Sequence, residues 1–181
     1  MDFHQVYPHI RVIQDLAAQR KAKVFLVGGF PRDALLHREC HDFDFAVEAG
    51  AISLAKSFAK KIKGAFVLLD EAHGCARVVK KENDLIVTYD FADFRGKTFK
   101  DDLAHRDFTI NTFSIELSKL NSQMNLQNDL LCSRRAEKDL SEKRIRMASV
   151  KAFQEDPLRL MRGFSLQAQL GFRIEPATVT R

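Results

Sequence analysis

Asp42 and Asp44 stand two apart in Cys40-His41-Asp42-Phe43-Asp44-Phe45-Ala46-Val47. Side chains alternate along a strand, so both aspartates project from one face, while Phe43, Phe45 and Val47 point the other way into a core. Two carboxylates side by side repel unless a cation sits between them, and an oxygen-only pair suits Mg²⁺. Upstream, Val24-Phe25-Leu26-Val27-Gly28-Gly29-Phe30-Pro31-Arg32-Asp33 reads as a buried strand, a glycine turn and a helix that starts at Pro31. The N-terminus of such a helix offers free backbone N–H groups to a phosphate. Together these segments suggest a metal-dependent site for a nucleoside triphosphate. Each has a plainer meaning alone: Asp-x-Asp is more often a solvated edge, and Gly28-Gly29 a tight turn. The third glycine of a dinucleotide fingerprint is missing.

The elements that must position these residues follow from periodicity. Apolar residues recur at helical spacing over 7–19 and again from Ile52 to Ile62, where Lys56, Lys60, Lys61 and Lys63 mark the wetter side. Residues 24–27 and 43–47 read as strands, and 32–36 continues the helix after the glycines. Three more strands are expected at 65–69, 76–80 and 85–91, joined by hairpin connections. A helix followed by strands in close succession argues for a mixed sheet with helices on it, not an alternating parallel one. Residues 108–117 end as a strand, and 121–128 form a polar loop. A second region contains 136–140, 144–147 and a helix from Asp156 to about Leu170, ended by Gly171.

Composition sets the bounds. The chain has 181 residues, 45% of them hydrophobic, enough for one sizeable core, or one core plus a short appendage. The net charge of +5 and a pI of about 9.2 lean mildly toward polyanions. Cys40, Cys75 and Cys132 form no Cys-x-x-Cys pair, which argues against a zinc site or a disulfide framework and for a reducing, cytoplasmic setting. The start of the chain does not read as a signal peptide, and no apolar run approaches the roughly 20 residues of a spanning helix, so no membrane role is expected.

Three segments in order resemble the tRNA nucleotidyltransferase and bacterial poly(A) polymerase family, the class II branch of the polymerase-beta-like nucleotidyltransferases. They are Gly28-Gly29-Phe30-Pro31-Arg32-Asp33-Ala34-Leu35-Leu36 with Asp42-Phe43-Asp44, then Asp101-Asp102-Leu103-Ala104-His105-Arg106-Asp107-Phe108-Thr109-Ile110-Asn111, then Glu155-Asp156-Pro157-Leu158-Arg159-Leu160-Met161-Arg162. The resemblance implies an α+β fold: a mixed β-sheet nucleotidyltransferase head with flanking helices over 1–120, then the beginning of a helical neck over 121–181. His105 departs from the family's Arg-Arg-Asp, Pro31 from its usual valine, Phe30 from a small residue and Thr112 from alanine. Residues 131–135 depart from its Asp-Pro-and-glycine turn. The chain stops at Arg181, where the family continues into helical domains that hold the tRNA acceptor arm, so a fragment or a shortened protein is expected.

The resemblance also implies the chemistry: template-independent addition of C, A or both to tRNA 3′ ends from CTP or ATP, with Mg²⁺ and release of pyrophosphate. Poly(A) polymerase shares the same head, CC- and A-adding specialists remain open, and a non-catalytic nucleotide- or RNA-binding remnant is the reading from another class. Asp42 and Asp44 are the expected metal ligands. Asp90 is the expected third carboxylate, with Asp93 as its competitor. Gly28 and Gly29 let backbone approach the triphosphate, and Arg32 adds charge. Asp33 either joins them or pairs with a nearby arginine. Arg106, Asp107 and Asn111 resemble the ribose and triphosphate contacts, with an Asp107–Arg106 salt bridge as the alternative. Asp156 and Arg159 resemble the base reader, with an N-cap as the alternative for Asp156. Arg162 either reaches phosphate or lies idle on the surface.

Overall fold

A computed structural model of the chain describes residues 7–120 and 130–179. The polar loop expected at 121–128 lies outside the described residues. The chain divides into two compact units, Met1–Phe94 with Ser114–Leu131, and Arg95–Phe113 with Cys132–Arg181. These units follow packing, whereas the expected division at 120/121 follows function; residues 95–113 precede that division yet pack in the second unit.

In the first unit, helix α1 (Pro8–Arg20) starts on a proline and buries Ile10, Ile13, Leu16 and Ala17, a stripe at helical spacing. Strand β1 (Val24–Val27) is buried at all four residues, as its unbroken apolar run requires. Helix α2 (Gly29–Leu35) begins two residues before the expected Pro31, because Gly28 takes φ 80° as its N-cap and turns the chain at once. Strand β2 (Asp42–Val47) leads to helix α3 (Ala51–Ile62), whose buried face is Ala51, Leu54, Ala55, Phe58, Ala59 and Ile62. Strands β3 (Ala65–Asp70), β4 (Cys75–Glu82) and β5 (Leu85–Asp93) form two successive hairpins, and β6 (Ser114–Glu116) closes the set.

The sheet order is β3-β4-β5-β2-β1-β6, mixed as expected, with β2–β5 its parallel pair. Phe43 stacks on Tyr89 and Phe45 on Phe91 across that pair, with ring centroids 5.3 and 5.0 Å apart. Both stacks lie on the core face with Phe58 of α3 and Ile10 and Ile13 of α1. Each such buried ring contributes roughly 1.5–3 kcal/mol relative to exposure. Their burial fixes which face of β2 and β5 is left for polar residues.

The second unit opens with α4 (Phe99–Ala104), which the periodicity did not announce. Thr98 and Asp101 form a reciprocal capping box there, Thr98 N donating to Asp101 at 2.9 Å. A 3-10 turn (Thr109–Asn111) and α5 (Arg134–Ser141) follow, the latter capped by Ser133. β7 (Arg144–Ile145) pairs in parallel with β8 (Arg173–Ile174), so this unit is not purely helical. Between them run α6 (Val150–Glu155) and α7 (Arg159–Leu170), and α8 (Pro176–Val179) comes last. α7 begins at Arg159, not at the expected Asp156. The Asp156 side chain accepts the Leu158 N–H at 3.0 Å and closes a turn ahead of the helix. Gly171 ends α7 at φ 68°, as expected. The fully buried Asp139 holds the unit together, taking Thr109 Oγ1 at 2.7 Å and the Arg146 guanidinium at 3.1 Å. No helix among the described residues is long and apolar enough to cross a membrane.

Candidate active site

The first unit carries an acidic face. The core stacks of Phe43 and Phe45 turn Asp42 and Asp44 together onto the opposite side of β2. The parallel register sets Thr88 beside Asp42 and Asp90 beside Asp44. Thr88 Oγ1 donates to Asp42 Oδ1. Asp90 therefore shares the face of the pair. Its competitor Asp93 has the opposite parity, and its Oδ1 instead accepts the Ala51 N–H at 2.8 Å, at the start of α3.

β1 brings Val27 opposite Asp44, which carries the following glycine close to the carboxylate. A Cβ at Gly28 would lie 2.5 Å from Asp44 Oδ2. At Gly29 it would lie 3.3 Å from Arg32 Nη2, so the Arg32 guanidinium is drawn over the glycine turn. Arg32 and Asp33 are 3% and 5% exposed and paired side by side, Nε to Oδ1 at 3.0 Å and Nη2 to Oδ2 at 2.8 Å. The pairing of Asp33 with a nearby arginine is thus present, with Arg32 as the partner.

Arg77 is the residue that sequence reasoning missed. It lies opposite Asp90 in the β4–β5 hairpin and grips both carboxylate oxygens, Nε and Nη2 each at 2.7 Å. Hydrogen bonding to Asp90, that carboxylate's charge and the charges of Asp42 and Asp44 raise the proton affinity of its guanidinium above the ordinary value. The signal was available: a two-residue turn at 83–84 puts residue 77 opposite residue 90.

The donor set bears on Mg²⁺. Among the described residues, no group of three or more His, Cys, Asp or Glu side chains is arranged to hold a metal. The pair Asp42 and Asp44 remains, oxygen-only, with glycine at position 28 leaving room for the Asp44 carboxylate. Mg²⁺ is commonly bound in this way, by one or two carboxylates with water and substrate phosphate filling the other positions. The chemistry of the residues fits the ion.

The second unit holds the remaining candidates. Asp107 is 5% exposed, and its Oδ1 accepts from Phe108 N at 2.8 Å and Asn111 Nδ2 at 3.0 Å. Its Oδ2 lies 3.1 Å from Arg162 Nη2, yet the alignment makes no hydrogen bond and leaves that buried oxygen unsatisfied. The contact is one of charge alone, and the oxygen keeps its capacity to accept. Arg106 does not pair with Asp107; it reaches Asp102 at 3.0 Å, one helical turn back. Arg159 is 6% exposed and donates to the His105 carbonyl at 2.8 Å, with its Nε 3.7 Å from Asp156 Oδ2. Asp156 and Arg159 are thus together, although Asp156 lies before the helix. Arg162 is largely exposed, with its guanidinium beside Asp107.

A cavity of about 280 Å³ near Tyr7, His9, Cys40, Glu82 and Tyr89 is lined by none of these candidates.

Known proteins resemble the chain as a whole. The chain is 39% identical over 168 residues to a CC-adding tRNA nucleotidyltransferase of Geobacter sulfurreducens, covering 93% of this chain and 37% of that protein. It is 39% identical over 157 residues to one of Synechocystis, covering 86% and 35%. A solved CCA-adding enzyme in complex with ATP superposes with a TM-score of 0.78 at 30% identity, covering 96% of this chain and 40% of that one. The chain therefore spans well under half the length of these relatives. Residues 24–146, more than half of the chain, match the poly A polymerase head domain, and the chain belongs to that family.

Proposed function

We propose that this protein is a template-independent nucleotidyltransferase that adds nucleotides from CTP or ATP to tRNA 3′ ends and releases pyrophosphate. The observation that carries the reading is the shared face of Asp42 and Asp44, with Asp90 in register beside Asp44. Both relatives at 39% identity are named for CC addition, which favours CTP as the donor.

Nucleotidyl transfer is chiefly positioning and charge neutralisation. Asp42 and Asp44 would hold Mg²⁺, which when bound supplies charge to the triphosphate and acidifies a 3′-hydroxyl. Gly28 and Gly29 leave the backbone open to phosphate, and Arg32 sets positive charge over that turn. Asp33 fixes Arg32 there. Asp90 adds a third negative charge beside Asp44. In the second unit, the unsatisfied Oδ2 of Asp107 suits a ribose hydroxyl, and Asn111 holds the other oxygen in place. Arg106 and Arg162 are assigned to phosphate. Asp156 and Arg159 are assigned to the base: a carboxylate accepts from the amino group of cytosine or adenine, and a guanidinium donates to a ring acceptor. The cysteines Cys40, Cys75 and Cys132 are free thiols, consistent with a cytoplasmic setting.

Labelled CTP or ATP, Mg²⁺ and tRNA lacking its terminal residues test the reading. Gel mobility distinguishes two additions from one, three or many, the last being poly(A) synthesis. Asp42→Ala and Asp44→Ala each lower the rate by roughly 10³-fold or more, the scale of losing a metal's charge stabilisation. They keep the fold, since each relieves like-charge repulsion. Absence of any transfer by the unmodified chain would leave the non-catalytic binding reading instead.

A further inference from the structure

Arg77 belongs to none of the motifs discussed above. The β4–β5 register sets it directly opposite Asp90, and the β5–β2 register sets Asp90 directly opposite Asp44. Arg77, Asp90 and Asp44 thus form one row across three strands, on the face that carries Asp42. Nε and Nη2 each lie 2.7 Å from a different Asp90 oxygen. Such a two-pronged contact fixes the plane of a carboxylate as well as its position, which the point charge of lysine cannot do. The pair is partly exposed, at 42% for the Arg77 side chain and 28% for Asp90, so its weight lies in geometry more than in stability.

We propose that Arg77 is a positioning residue of the acidic site: it holds Asp90 away from the cation, so that Asp42 and Asp44 alone bind the ion and its other positions stay open. The proposal rests on reading Asp42 and Asp44 as the Mg²⁺ ligands. A third free carboxylate beside the pair would bind the ion more tightly and take a position that substrate oxygens need. The guanidinium prevents this in two ways, by occupying Asp90 and by repelling the cation.

Mn²⁺ binding to the whole chain, with free ion counted by electron paramagnetic resonance, tests the proposal without turnover. Replacing Arg77 by methionine removes one positive charge near a divalent ion and frees Asp90. The expected result for Arg77→Met is Mn²⁺ affinity about tenfold higher, from Coulomb attraction in a partly wet site. Asp90→Asn in that background brings the affinity back toward the starting value. Arg77→Lys keeps the charge but loses the fork, and tightens binding only roughly two- to threefold; it serves if the methionine variant does not fold. In transfer assays, kcat falls in both variants while KM for CTP changes little. Unchanged or weaker Mn²⁺ binding in the folded variants overturns the proposal, because a merely structural arginine would lower the melting temperature and nothing else. Equal Mn²⁺ binding by the unmodified chain and Asp42→Ala would instead overturn the underlying metal reading, and the role of Arg77 with it.

Discussion

At Gly28 the absence of a side chain is a requirement of the site. Its φ of 80° suits glycine, and a Cβ there would lie 2.5 Å from Asp44 Oδ2. Gly28→Ala is expected to destabilise the protein by about 1–3 kcal/mol and to displace the Asp44 carboxylate. A thermal melt checks the first effect and Mn²⁺ titration the second; a stable variant with normal ion affinity contradicts both. Asp156 offers a sharper separation of roles. Its Oδ1 accepts the Leu158 N–H, a bond that the amide oxygen of asparagine reproduces. Asp156→Asn therefore stays folded to within roughly 0.5 kcal/mol. Its amide can also donate, which suits the carbonyl of uracil or guanine better than an exocyclic amino group. Preference for CTP and ATP over UTP and GTP falls accordingly, measured by competition calorimetry on the samples used for melting. Selectivity that survives in the folded variant would reduce Asp156 to a turn former.

At the scale of elements, α3 borrows its N-terminal cap from another strand. Its own N-cap is Gly50, which has no side chain to offer, and Asp93 of β5 accepts the Ala51 N–H instead. Asp93→Ala should cost about 1–2 kcal/mol and lower the melting temperature by several degrees, roughly 2–4 °C per kcal/mol for a chain of this size. Transfer and Mn²⁺ binding should persist, since Asp93 points away from Asp44. A variant that melts normally but no longer transfers would return Asp93 to the site in place of Asp90. The elements differ in how plainly the sequence announced them. β1 and the two hairpins follow from apolar runs and turn residues that act over a few positions. α4 was missed because its signal is the Thr98–Asp101 box and not an apolar stripe. α7 was expected too early because Asp156-Pro157 reads equally as a cap and as the turn that forms.

For the whole molecule, the charge of +5 would make the proposed RNA binding electrostatic in the first instance. Raising salt from 50 to 200 mM should weaken RNA affinity by roughly threefold for each phosphate contact, whereas Mn²⁺ remains bound; filter binding across a salt series checks this, and a flat series contradicts it. The sequence by itself determined the local chemistry. Period-two alternation placed Asp42 and Asp44 on one face whatever the strand's neighbours, because it depends only on the backbone of β2. The glycine turn, the helical stripes and the hairpins are local in the same sense. Partnerships between distant residues were decided only in three dimensions. Asp90 over Asp93 depends on the β2–β5 register, which the Phe43–Tyr89 and Phe45–Phe91 stacks hold across an intervening helix and two strands. Even between near neighbours a choice stayed open: Arg106 could turn to Asp107 or to Asp102. The sequence left it open, because burial selects the partner that satisfies the charge, and burial is a property of the packed chain.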